Sequence, residues 1–109
     1  MKILVIGGNG FLGSHVFDQL NNIYKKNIYL LDKDTSLYKK NLNIIKGDIS
    51  DLSFLKKKLK GFDIVYHFAG ISDLDQAYEN PTNTVKDNIL GTVNILEACR
   101  LNKVKKIIF

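Results

Sequence analysis

Ile3-Leu4-Val5-Ile6 runs directly into Gly7-Gly8-Asn9-Gly10-Phe11-Leu12-Gly13, a stretch that reads as a strand, a glycine turn and the start of a helix. Such a turn is a phosphate cradle. Without β-carbons the backbone N–H groups can approach a pyrophosphate, and the N-terminus of the next helix adds free donors and the positive end of its dipole. The glycines fit two registers at once, Gly8-x-Gly10-x-x-Gly13 and the wider Gly7-x-x-Gly10-x-x-Gly13. Context adds the weight: Leu30-Leu31-Asp32 reads as a strand ending in an acid 19 residues past Gly13. That is close to the ~20-residue offset at which a carboxylate meets an adenosine ribose.

Composition narrows the setting. A chain of 109 residues holds one domain, able to bury roughly 65% of its unfolded surface. Hydrophobic residues make up 45% of it and proline occurs once, which describes a globular chain and not a disordered one. The longest apolar run is far short of the ~20 residues that span a bilayer. No cleavable signal precedes the first strand, so no membrane partner and cytoplasmic residence are expected. Cys99 is the lone cysteine and cannot form an internal disulfide; its place beside Leu96 and Ala98 reads as a buried structural thiol. The formal charge of +5 raises nucleic acid as a partner, but the lysines are scattered over Lys25-Lys26, Lys39-Lys40, Lys56-Lys57-Lys58 and Lys105-Lys106. Arg100 is the single arginine and there is no aromatic ladder for base stacking, so solvated surface and no nucleic acid is the reading.

Strand and helix signals alternate along the chain. Residues 2 to 7 form a first strand, and residues 11 to 23 carry Phe11, Leu12, Val16, Leu20 and Ile23 at helical spacing. Residues 28 to 31 form a second strand. A polar loop with Thr35, Ser36 and Lys39-Lys40 leads to a short third strand over 43 to 47. Asp51 caps a lysine-rich helix that Gly61 ends. Residues 63 to 68 form a fourth strand, followed by Ala69-Gly70 and a polar loop. A long helix starts near Pro81 and directs Val85, Ile89, Val93, Leu96 and Ala98 or Cys99 to the core. Residues 105 to 109 begin a fifth strand.

Alternating apolar strands and helices imply a parallel sheet covered on both faces, because right-handed crossovers put helices on both sides. The expected fold is α/β, a Rossmann-like doubly wound parallel sheet in the order 3-2-1-4-5, stopping after strand 5. Every candidate motif then falls on the carboxyl edge: Gly7 to Gly13 after strand 1, Asp32 at the end of strand 2, Gly47-Asp48-Ile49 after strand 3, and Phe68-Ala69-Gly70 after strand 4.

With these residues in order, the chain resembles the extended short-chain dehydrogenase/reductases, in particular the NAD-dependent sugar-nucleotide epimerase/dehydratase group. The resemblance covers essentially the whole sequence: Gly7 to His15, Asp32, Gly47-Asp48-Ile49-Ser50-Asp51, His67-Phe68-Ala69-Gly70, Asn80-Pro81, and Asn88 to Ala98. It implies NAD as cofactor, with Phe11 and Leu12 turning their N–H groups to the pyrophosphate and Asp32 accepting from the adenosine ribose. It further implies Asp48 and Ile49 flanking the adenine, and Phe68, Ala69 and Gly70 beside the nicotinamide-side ribose. Gly7, Gly10 and Gly13 shape the turn. The Asp32 carboxylate would repel a 2′-phosphate and so favours NAD over NADP, while Lys33 next to it keeps NADP in play. For the longer protein the resemblance implies a nucleotide-sugar substrate and a homodimer through the helix from Pro81 to Asn102.

Each feature also has a plainer reading. The glycines make a tight turn, Asp32 caps the next segment, and Asp48 is a turn acid bonded to its own backbone. His15 and His67 read as structural, and Asn88 either supports the catalytic loop or packs a helix. No catalytic residue is assignable, and no metal site. The family's chemistry needs a tyrosine, a lysine four residues on and a serine or threonine, which the resemblance places past Phe109. Tyr29 and Lys33 meet the spacing but sit roughly 13 Å apart along a strand. Residues 1–109 are thus expected to form the cofactor-binding front part of a longer enzyme, inactive alone. A non-catalytic NAD(P)-sensing module and a nucleotide-sugar reductase are the alternatives.

Overall fold

The computed structural model describes residues 1–38, 43–71 and 73–109; Lys39-Lys40 of the expected polar loop lie outside the described residues. Five parallel strands, β1 (Ile3–Ile6), β2 (Ile28–Asp32), β3 (Ile44–Lys46), β4 (Ile64–His67) and β5 (Lys106–Ile108), form one sheet in the order β3-β2-β1-β4-β5. This is the expected doubly wound order. Ile6 at the tip of β1 pairs with Leu31 on one side and His67 on the other, so the ends of three strands lie side by side.

The central strand is apolar at every position because it feeds two cores. Leu4 and Ile6 join Leu31, Leu55, Val65 and Ile95 on one face, while Ile3 and Val5 join Phe17, Ile28 and Leu30 on the other. Helix α1 (Phe11–Tyr24) closes the second face through Gly13 and Phe17, and Phe11, Leu12 and Ile23 of the expected stripe are exposed. Helix α2 (Leu52–Lys58) packs on the first face. Asp51 caps it by accepting from the Phe54 N–H at 3.0 Å, and its last turn holds Lys56, Lys57 and Lys58, the sign pattern that the helix dipole favours. It closes at Lys58, and Gly61, at φ +87°, takes the turn that follows.

Two features depart from the expected layout. The loop after β4 contains a short helix, α3 (Leu74–Glu79), capped by the Asp73 carboxylate, which accepts from the N–H groups of Asp75 and Gln76. The helix from Pro81 is not uniform. It runs as α4 (Pro81–Val85), a π-helical turn over Lys86–Leu90, and α5 (Gly91–Leu101). Its buried stripe is Asp87, Gly91, Ile95, Ala98 and Cys99, whereas Val85, Ile89, Val93 and Leu96, expected inside, are exposed. Cys99 is buried, and burial pushes its thiol up to about 11, as befits a structural thiol. No helix among the described residues is long and apolar enough to cross a membrane.

Candidate functional site

The tips of β1, β2, β3 and β4 open onto a cleft of about 530 Å³. Gly7, Gly10, Asp32, Lys33, Ile49, Phe68, Ala69 and Gly70 of the expected site line it, and so do Asn9, Asp34, Gln76 and Asp87. Phe11, Leu12, Gly13 and Asp48 are not on its wall. Phe11 and Leu12 stand in the exposed first turn of α1, and Asp48 lies beside Lys33.

Backbone geometry explains the glycines that matter most. Gly7 has φ +81°, and a Cβ there would run into the backbone of Phe68 and Ala69 across the β4 tip. A Cβ on Gly13 would strike the Gly7 carbonyl, so α1 can start this close to the turn only without one. Gly7 N–H donates to the Leu31 carbonyl at 2.8 Å, and Ser14 N–H is the first in α1 to reach a carbonyl behind it, that of Gly10 at 2.9 Å. Among the described residues no backbone carbonyl is paired with the N–H groups of Phe11, Leu12 or Gly13. These are the orphan donors of a helix start, and α1 has no side-chain cap to take them.

Asp32 is tied into this turn. One of its oxygens accepts from Asn9 N–H at 2.9 Å and the other from Asp34 N–H at 3.2 Å, so the plainer reading, in which it caps the next segment, is realised alongside a contact to the glycine loop. Each oxygen keeps a further lone pair. Tyr38 donates its hydroxyl to the Gly8 carbonyl at 2.8 Å; burial, then the charges of Asp18 and Asp32, push that phenol up to about 12, so it stays a neutral donor. Asp48 accepts from Ser50 N–H at 2.9 Å, the turn-acid reading, with its other oxygen 3.8 Å from Lys33 Nζ. Burial pushes the Asp48 carboxyl up, but the Ser50 N–H and hydroxyl and the charges of Lys33 and Lys86 outweigh it and hold the group below the usual carboxylate range. Ile49 is buried, and its carbonyl accepts from the Asn94 amide at 3.0 Å.

Behind the β4 tip, Asn88 holds the loop after Gly70 from both sides. Its Oδ1 accepts from Ile71 N–H and its Nδ2 donates to the Ile71 carbonyl, at 2.6 and 2.8 Å. Tyr29 packs edge-on against Phe62 while Lys33 reaches Asp87, so this Tyr-x-x-x-Lys pair is committed elsewhere.

A strand, a glycine turn and a helix start, with an acid on the neighbouring strand, are the parts of a dinucleotide site. The family model described as "NAD dependent epimerase/dehydratase family" matches residues 3–109. The chain belongs to that family. This NAD dependent epimerase/dehydratase chain is 32% identical to the UDP-glucose 4-epimerase of Yersinia enterocolitica, over 100% of its own length and 36% of that protein. It is 34% identical to the dTDP-D-glucose 4,6-dehydratase of Dictyostelium discoideum, over 99% and 28% of the two chains. The structure of the Thermus thermophilus UDP-glucose 4-epimerase complex with NAD matches with a TM-score of 0.88 at 28% identity, over 100% of this chain and 37% of that one. The chain therefore spans about a third of the length of these relatives.

Sequence reading missed Asn9, Asp34, Gln76 and Asp87 in this epimerase/dehydratase chain. Asp87 had a signal: an acid four residues before Gly91 and eight before Ile95, on the stripe that turns inward. Asn9 had a weaker one, as the non-glycine residue inside the turn. Asp34 and Gln76 had none.

Proposed function

We propose that the cleft binds NAD, with the pyrophosphate at the turn from Gly7 to Gly13 and the adenosine ribose on Asp32. The observation that carries this reading is the Asp32 carboxylate, hydrogen-bonded to Asn9 N–H beside the start of α1, where three N–H groups lack a backbone partner. The residues fit such a ligand. Without a Cβ, Gly7 and Gly13 let the β4 tip and the start of α1 close onto the turn, and Asn9, whose N–H donates to Asp32, carries a buried Oδ1 that has no partner among the described residues. Asp48 and Ile49 then face the adenine, and Phe68, Ala69 and Gly70 the nicotinamide side. NAD is favoured over NADP because the Asp32 charge opposes a 2′-phosphate.

For the whole protein we infer a sugar-nucleotide epimerase or dehydratase. NAD, when bound, supplies an acceptor that takes a hydride from a sugar carbon and returns it. The protein's part within residues 1–109 is to bind and orient that cofactor, and these residues alone turn over no sugar nucleotide. Pairing of two copies through the helix from Pro81 is supported by the exposed stripe of Val85, Ile89, Val93 and Leu96.

A hydrogen bond to a charged acceptor contributes about 1.5 to 3 kcal/mol, so Asp32→Ala should weaken NAD binding at least about tenfold in a calorimetric titration. Equal affinities in the two proteins would defeat the assignment of the ribose to Asp32. Sugar-nucleotide turnover by the purified chain would defeat the claim of binding alone.

A further inference from the structure

Lys33 follows the ribose acid directly, which is where a basic residue would read the 2′-phosphate of NADP. Its ammonium pairs with other acids and not with Asp32. Lys33 Nζ lies 3.2 Å from Asp87 Oδ2 and 3.8 Å from Asp48 Oδ2, drawn toward the β3 tip and the π-helical turn. The two ends of the closer pair differ in freedom: the Asp87 side chain is 12% exposed and that of Lys33 is 51% exposed. A nearly buried carboxylate is costly without a counter-charge, and among the described residues Lys33 is the cation that pairs with it. Asp87 is fixed by the fold, on the stripe that continues through Gly91 and Ile95 into the core, so the acid sets where the lysine goes.

Resting on the NAD reading above, we propose that Asp87 is a specificity-determining positioning residue, which holds Lys33 away from the ribose so that a 2′-phosphate would meet the Asp32 carboxylate without a cation opposite it. The cleft wall then carries Asp32, Asp34 and Asp87 around one engaged lysine. Lys46, in register with Asp32 on β3, and Lys86, next to Asp87 in the chain, are further ammonium groups nearby among the described residues; the charge of Lys46 acts on Asp34 and that of Lys86 on Asp48. Both are unchanged in every variant below.

The test is the ratio of the NADP to the NAD dissociation constant, measured by calorimetry on the full chain. Asp87→Asn should lower the ratio about tenfold by freeing Lys33, and adding Lys33→Met should return it to within about twofold of wild type. A ratio unmoved in Asp87→Asn overturns the proposal, as does a fall that survives the loss of Lys33. Should Asp87→Asn fail to fold, Lys33→Met alone decides. A ratio within about twofold of wild type supports an already engaged lysine, and a rise of about tenfold shows that Lys33 was reading the phosphate. Wild-type protein that binds no NAD defeats the cofactor reading and this inference with it. Wild-type protein that binds NAD while the ratio stays flat defeats this inference alone.

Discussion

His67 ends β4 one residue before the cleft, and its protonation state follows from its neighbours. The Thr92 hydroxyl donates its hydrogen to the Asn88 carbonyl at 2.8 Å, so the 2.8 Å contact between His67 and Thr92 has the imidazole Nε2–H as donor. Nδ1 is left as a buried lone pair with no partner among the described residues, and burial holds the imidazole pKa below its ordinary 6.5. A proton added there would have no acceptor. In the unfolded chain the ring takes that proton freely, so the unfolded state binds more protons below pH 6.5. Stability from this residue is therefore complete above that pH and is lost as the pH falls toward the lowered folded value. Urea unfolding of the wild type should weaken between about pH 7.5 and pH 5.5 more steeply than that of His67→Gln; parallel curves would contradict the buried neutral ring.

The helix from Pro81 to Leu101 carries two apolar stripes, and periodicity alone cannot say which one faces the sheet. Val85, Ile89, Val93 and Leu96 satisfy helical spacing as well as Gly91, Ile95, Ala98 and Cys99 do, and the π-helical turn at Lys86–Leu90 changes the phase partway along. The second stripe is buried, with Ile95 at 0% exposure against 54% for Val93. Ile95→Ala should cost about 2 to 5 kcal/mol in urea denaturation and Val93→Ala under about 0.5 kcal/mol; the reverse ranking would contradict this orientation. The strands were legible because each is a short apolar run, the first four of them followed by a turn or a polar loop. The short helix α3, at six residues, was not, being too brief to show a period, although its Asp73 cap stood in plain view. The same distinction holds at the site. Gly7, Gly13 and Asp32 act through backbone shape and strand position, which sequence carries, whereas Lys33 meeting Asp87 depends on contact between residues 54 apart in the chain.

At the scale of the molecule, strand order does the assembling. Placing β1 between β2 and β4 brings the glycine turn, Asp32 and Phe68-Ala69-Gly70 to one edge, although they come from distant parts of the sequence. Two cores on opposite faces then hold the sheet rigid beneath that edge. The central claim is that this edge binds NAD, and an amide-resolved NMR titration of the chain with NAD tests it most directly. The account predicts saturable shifts at the amides of Gly7 to Gly13, Asp32 to Asp34, Asp48 to Ile49 and Phe68 to Gly70, with the outer face of α5 unmoved. Shifts absent from those amides, or gathered on another face of the sheet, would contradict it.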